Sequence, residues 1–186
     1  MKKIFLLSAA FLLTACTPAD DITPHTLGNS GAPVLIEEFS DLQCPACGAI
    51  SPELKRFVDE NPDLAQLKFY HFPLSQHPFA FVAAEGAECA ADQGKFWEFT
   101  ETVFANQPSL SQDYVRSVAE SLKLNQETFN ACLDDHVKKG KVLAHLREGN
   151  IRNVAATPTI YVNGEIVKWP GYETFEAYVK GLESKE

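Results

Sequence analysis

Residues 34–39, Val-Leu-Ile-Glu-Glu-Phe, place apolar side chains on both faces of an extended run bounded by Pro33 and by Ser40-Asp41. A strand covered on both faces reads this way, so a central strand is expected here. Beyond Cys44 the period changes, and Ile50, Leu54, Phe57 and Val58 recur at helical spacing. Pro45 falls in the first turn, where its missing N–H costs nothing, and Pro52 is expected to kink the helix. Leu67 to Phe72 reads as a second strand, stopped by Pro73.

From about residue 78 to 149 the spacing is helical throughout. Phe79, Val82, Ala83, Gly86 and Ala90 make one stripe. Phe96, Phe99, Val103 and Phe104 make a second, and Leu110, Tyr114, Val118 and Leu122 a third. Asn125 caps a further helix carrying Phe129, Cys132, Leu133 and Val137. Thr159 to Val162 returns to strand, Asn163-Gly164 is a strong hairpin signal, and Glu165 to Trp169 is its second arm. A last helix buries Phe175, Tyr178, Val179 and Leu182. The order β-α-β, helical block, β-β-α predicts one α/β domain over 34–186, with a helical subdomain inserted at about 78–149.

The first 33 residues stand apart from that pattern. Met1-Lys2-Lys3 is a positive start, and Ile4 to Leu13 is a mostly apolar run too short to span a bilayer comfortably, so 1–15 reads as a secretory signal. It ends in Leu13-Thr14-Ala15-Cys16, which resembles a bacterial lipobox, with cleavage before Cys16 and diacylglycerol on its sulfur. Residues 16–33 are polar and rich in Pro and Gly, and are expected to be a lipidated tether. Export to the bacterial cell envelope follows, on the periplasmic or extracytoplasmic side of a membrane.

Composition narrows the partners. The 186 residues are 45% hydrophobic and 22% charged, as expected of one globular domain with an ample core. A net charge of −9 and no basic patch exclude nucleic acid as an expected partner. Export also changes the meaning of the five cysteines, because disulfides persist outside the cytoplasm. Setting aside Cys16 leaves Cys44, Cys47, Cys89 and Cys132, which allow three pairings.

Cys44 and Cys47 are separated by Pro45-Ala46. Zinc would need a second cysteine pair or two closely spaced histidines, and His25, His71, His77, His136 and His145 lack that spacing. A purely structural bond across so short a loop removes little unfolded-state entropy. The redox reading has a mechanism. A strand running into a helix leaves Cys44 where free N–H groups and the helix dipole stabilise a thiolate, and Cys47 lies one turn on, able to resolve a mixed disulfide. No metal and no other cofactor is expected. His71 and His77 read as structural or capping groups, and Phe96 and Trp97 as core.

"VLIEEFSDLQCPACG", followed in order by "FPLSQH", "AAEGAECAADQGKFWEF" and "TPTIYVNG", resembles the DsbA-like branch of the thioredoxin superfamily from about Ala32 to Leu182. The resemblance implies a thioredoxin-like fold with an inserted helical subdomain, Cys44 as the exposed nucleophile and Cys47 as the resolving thiol. Thr157-Pro158 matches the loop with a cis-proline facing the disulfide, which offers backbone groups to an extended substrate. Glu38 matches a buried acid that relays the Cys47 proton; Glu37 should face the other way. A second disulfide, Cys89–Cys132, is implied between helices of the insertion. The sequence departs from the better-known oxidase at Ala46, where a histidine would stabilise the thiolate. Asn153 and Ala156 stand where relatives commonly have glycine.

The function expected is that of a protein thiol:disulfide oxidoreductase, an oxidase for exported protein or peptide thiols, reset by a membrane redox partner. A monomer held at a membrane by its lipid is expected. The alternatives are a reductase or isomerase on the same fold, and a non-catalytic envelope binder of metal or peptide. The intact cysteine pair with its Thr-Pro partner weighs against the binder.

Overall fold

The structure is a computed structural model and describes residues 21–183. The signal segment 1–15 and the lipidation residue Cys16 lie outside the described residues. Five strands form one mixed sheet in the order β1-β3-β2-β4-β5. β2 (Val34–Ser40) occupies the centre, parallel to β3 (Ala65–His71) and antiparallel to β4 (Thr159–Val162). The start of β2 alternates, with Val34 and Ile36 buried and Leu35 and Glu37 half-buried, and the strand is buried on both faces only from Glu38 to Ser40. Asn163 and Gly164 both take positive φ, at 49° and 86°, and turn β4 into β5 (Glu165–Val167).

The expectation of a tether over 16–33 is corrected in its second half. His25–Leu27 form β1, an edge strand antiparallel to β3, with Thr26 opposite Lys68. Three residues with one apolar side chain carry no strand pattern of their own. Contacts made by His25 hold the segment in place: its ring stacks on Phe96 with centroids 3.5 Å apart and its Nε2 meets Glu88.

α1 (Pro45–Glu60) and α7 (Tyr172–Glu183) cover one face of the sheet. Leu54, Phe57 and Val58 from α1 and Phe175 and Val179 from α7 pack there against Ile36, Leu67 and Ile160. α1 continues through Pro52 as one helix. On the other face Phe39, Tyr70, Phe72 and Tyr161 form an aromatic cluster with Val154. The insertion supplies α2 (Ala80–Ala91), α3 (Phe96–Ala105), α4 (Gln112–Ser121), α5 (Gln126–Asp134) and α6 (Lys139–Ile151), with a 3-10 turn at Gln107–Ser109. Asn125 caps α5 by accepting from Thr128 N at 2.9 Å. Cys89 of α2 and Cys132 of α5 are joined by a disulfide, with Cα atoms 6.0 Å apart. The cross-link closes a loop of 43 residues, worth about 4 kcal/mol in the chain-entropy treatment. Among the described residues no helix is long and apolar enough to cross a membrane.

Candidate active site

β2 delivers the chain to the top of the sheet, and residues 41–44 turn it into α1. Cys44 is the N-cap of that helix, with φ −73° and ψ 122°, and no side chain caps the helix in its place. Its side chain makes no hydrogen bond to the first-turn N–H groups, which at a helix start lack partners and carry the positive end of the helix dipole. Both cysteines are free thiols. Both are buried, contrary to the expectation of an exposed Cys44, but Cys44 keeps 8% of its surface exposed and Cys47 none, so Cys44 lies nearer the surface.

The Thr157–Pro158 peptide is cis. It brings the Thr157 carbonyl to 3.4 Å from Cys44 Sγ, across 113 residues of sequence. Asn153, just upstream, takes φ +58°, a left-handed conformation that asparagine tolerates. Pro158 also borders an apolar groove with Ile50, Ile160, Ile166, Val167 and Trp169. A second hollow, lined by Gln43, Pro45, Phe79, Gln107, Pro108 and Leu110, lies on the side of the helical insertion.

Behind the thiols lies Glu38, completely buried on β2. Ser51 of α1 donates its hydroxyl to Oε1, and Ser40 Oγ stands 3.0 Å from Ser51 Oγ. Oε2 has no hydrogen-bond partner. Burial pushes the carboxyl up to about 7, against the lowering effect of the two hydroxyls. Burial, and next the neighbouring Glu38 charge, also push the Cys47 thiol well up, so the two groups favour one shared proton over two charges. A narrow pocket lined by Glu38, Ser51, Pro52, Lys55, Thr100 and Glu101 reaches this acid. Glu37 points to the opposite face, where Arg152 grips it with Nη1–Oε1 and Nη2–Oε2 distances of 2.9 and 3.1 Å.

The family model of thioredoxin matches residues 20–181. The chain belongs to the thioredoxin family. Within that family it is DsbA-like. Disulfide bond formation protein D of Bacillus subtilis (strain 168) is 31% identical over 175 residues, covering 83% of this chain and 77% of that protein. The oxidised BdbD structure from Bacillus subtilis superposes with a TM-score of 0.72 at 26% identity, covering 86% of this chain and 95% of that one. A Na(+)/H(+) antiporter, NhaA 3 of Salinispora tropica, is 32% identical over 154 residues. That match covers 82% of this chain and 24% of the antiporter, so the chain spans about a quarter of such relatives.

In this DsbA-like chain the structure gathers Cys44, Cys47, Glu38, Thr157 and Pro158 at one place. Cys89 and Cys132 are spent on their own bond inside the insertion. Among the described residues no group of three or more His, Cys, Asp or Glu is arranged to hold a metal ion. Sequence reading passed over the groups that hold the 41–44 turn. Gln107 Nε2 donates to Leu42 O at 3.0 Å and Cys44 O at 2.8 Å. Gly48 makes room for it, since a Cβ there would stand 2.4 Å from Gln107 Oε1. Gln43 Oε1 accepts from Phe79 N at 2.7 Å. Asp41, fully buried, accepts from Gln43 N, Leu74 N and His77. Of these groups only His77 carried an expectation, as a structural or capping residue, and its partner Asp41 did not.

Proposed function

We propose that this chain is a thiol:disulfide oxidoreductase that introduces disulfides into exported proteins through Cys44 and Cys47. The observation that carries the reading is a free thiol at a helix N-cap, 3.4 Å from the carbonyl of a cis-proline loop. That carbonyl and the grooves on either side suit an extended peptide laid across the disulfide.

In the oxidised enzyme a substrate thiolate attacks Cys44 Sγ. The Cys44–Cys47 bond breaks, a substrate–Cys44 bond forms, and Cys47 leaves as a thiolate. A thiolate is disfavoured there by burial and by Glu38, so the leaving sulfur takes a proton, and Glu38, titrating at about 7, is the group that supplies it. A second substrate thiolate then attacks its own sulfur in the mixed disulfide, and Cys44 departs as the thiolate favoured at the helix end. Two electrons have moved from the substrate dithiol to the cysteine pair, and a membrane redox partner removes them again. The chain works as a monomer in the envelope, held by diacylglycerol on Cys16 after cleavage of 1–15, with neither metal nor organic cofactor.

Ala46 favours one competing reading, a reductase or isomerase, because it puts no imidazole between the cysteines. One experiment separates the two. The chain, with Cys89–Cys132 intact, is equilibrated with glutathione, alkylated and read by mass. A potential of about −200 mV or higher is expected; a value near thioredoxin's, about −270 mV, sinks the oxidase. Cys44→Ser should abolish exchange, and Cys47→Ser should accumulate a Cys44 mixed disulfide. Exchange surviving in Cys44→Ser removes the nucleophile assigned here.

A further inference from the structure

The turn that presents Cys44 is tied to the Cys47 thiol and to the Cys44 backbone through a single residue, Asp41. Its backbone N–H donates to Cys47 Sγ at 3.4 Å, and its carbonyl accepts from Cys44 N at 3.0 Å. The side chain is wholly buried. Its Oδ1 accepts from Gln43 N at 2.7 Å, and its Oδ2 accepts from Leu74 N at 2.8 Å and from His77 Nδ1 at 2.7 Å. His77, from the loop between β3 and α2, is the ion-pair partner of this carboxylate and keeps 20% of its side chain exposed. The ionisable groups at this corner are thus Cys44 and Cys47 from α1, Glu38 from β2, and the Asp41–His77 pair itself.

The Asp41 N–H favours a thiolate on Cys47, whereas the buried carboxylate of the same residue, by its charge, opposes one on either cysteine. A charged imidazole 2.7 Å from that carboxylate cancels the opposition, while a neutral one leaves it in force. We propose that His77 is a positioning residue that sets how oxidising the Cys44–Cys47 pair is, by offsetting the Asp41 charge and so favouring the Cys44 thiolate. The inference rests on the exchange chemistry proposed above. It also answers the departure at Ala46, because the imidazole missing between the cysteines is supplied from 33 residues downstream of Cys44, one carboxylate removed from the sulfur. A reduced form stabilised in this way makes the disulfide a stronger oxidant.

The test compares wild type, His77→Gln, His77→Lys, Asp41→Asn and the double variant Asp41→Asn/His77→Gln. Each is equilibrated with glutathione between pH 6 and 8.5, with Cys44 ionisation followed by thiolate absorbance. At pH 6, His77→Gln should shift the equilibrium about tenfold toward the disulfide form, about 30 mV less oxidising, with Cys44 ionising at higher pH. The gap should narrow as pH rises, and His77→Lys should restore wild-type behaviour. In the Asp41→Asn background the glutamine substitution should be silent.

A His77→Gln equilibrium within twofold of wild type at pH 6 overturns the proposal. So does a shift that is independent of pH and persists with asparagine at 41, since that marks a purely structural role. Wild type supplies a readout that needs no variant. Coupling is reciprocal, so the His77 ring signals must titrate differently in reduced and oxidised protein, and identical titrations also overturn the proposal. Failure of wild type itself to exchange through Cys44 would instead strike the proposed function.

Discussion

Glu38 and Glu88 are equally buried, at 0% and 1% exposure, and are pushed in opposite directions. Glu38, under the cysteines, meets only hydroxyls, and burial lifts it to about 7. At Glu88, on α2, burial pushes the same way, but His25 and His71 outweigh it and hold the carboxyl well below the usual carboxylate range. Its oxygens lie 2.9 Å from His25 Nε2, 3.1 Å from Lys141 Nζ and 3.2 Å from His71 Nε2. What decides the behaviour of a buried acid here is the charge of its neighbours. An acid with only hydroxyl partners can carry a proton at neutral pH; an acid held by the Lys141 ammonium and two imidazoles stays ionised and acts as a bolt, although burial holds His25 itself below its ordinary value. Glu88 bolts α2 to α6 within the insertion and both to β1 and β3 of the sheet.

Removing the bolt is the largest way to break this contrast. Glu88→Gln leaves Lys141 without its buried counter-charge and should cost about 3–5 kcal/mol of unfolding free energy, measured in urea with the disulfide intact. A loss below about 1 kcal/mol would reduce the cluster to decoration. The acid limb of wild type should be steep for the same reason. A carboxyl held low contributes stability above its unfolded pKa and loses it as pH falls through the folded one. Burial also lowers His145 to about 3, so its contribution is fully present above the unfolded value of 6.5 and is lost as pH falls toward 3.

Glu38 has the opposite sign. Its folded pKa is raised from 4.5 to about 7, so its contribution is complete below 4.5 and is lost as pH rises through 7. The change amounts to about 3 kcal/mol across that window. Glu38→Gln should flatten that slope, so the variant gains on wild type between pH 4 and pH 8 by that amount. Formation of the mixed disulfide with substrate should also lose its pH step near 7, because the leaving Cys47 no longer has this proton donor. A wild-type profile unchanged by Glu38→Gln would mean that the acid is already neutralised by something else.

These contrasts also mark where sequence reading stopped. The central strand, the hairpin at Asn163-Gly164 and the helical block were legible because each repeats a local period or turn chemistry over several residues. Cys44 at a helix start was legible for the same reason, since Pro45 and the stripe behind it fix where α1 begins. β1 was not, because its three residues owe their place to His25 meeting Glu88, 63 positions away. Asp41 and His77 are 36 positions apart, and Gln107 is 63 from Cys44; no local pattern announces such pairs. Glu38 was placed by resemblance, and its opposite face from Glu37 by strand alternation. The different fate of Glu88, which shares the alanine-rich α2 with a second buried acid, Glu85, had no local sign at all.

The smallest change that still separates the two acids is Ser51→Ala. The Ser51 hydroxyl donates to Glu38 and, after burial, is the leading influence on it, holding the carboxyl down. A hydrogen bond to an ionised group is worth about 1.5–3 kcal/mol, so its loss should raise the Glu38 titration by about one pH unit or slightly more. Below pH 4.5 both proteins hold Glu38 protonated, and the substitution should cost little. Above pH 8 the variant should be less stable than wild type by about 1–2 kcal/mol, because the ionised carboxyl has lost the donor it keeps in wild type. Ser40 Oγ, 3.0 Å from Ser51 Oγ, limits the effect if it turns toward the acid, so Ser40→Ala/Ser51→Ala should move the titration further than either alone. Superimposable unfolding profiles for wild type and Ser51→Ala from pH 4 to 9 would show that burial alone sets Glu38. Ser51→Ala should meanwhile leave the acid limb below pH 4 unchanged, since that limb belongs to Glu88 and its histidines.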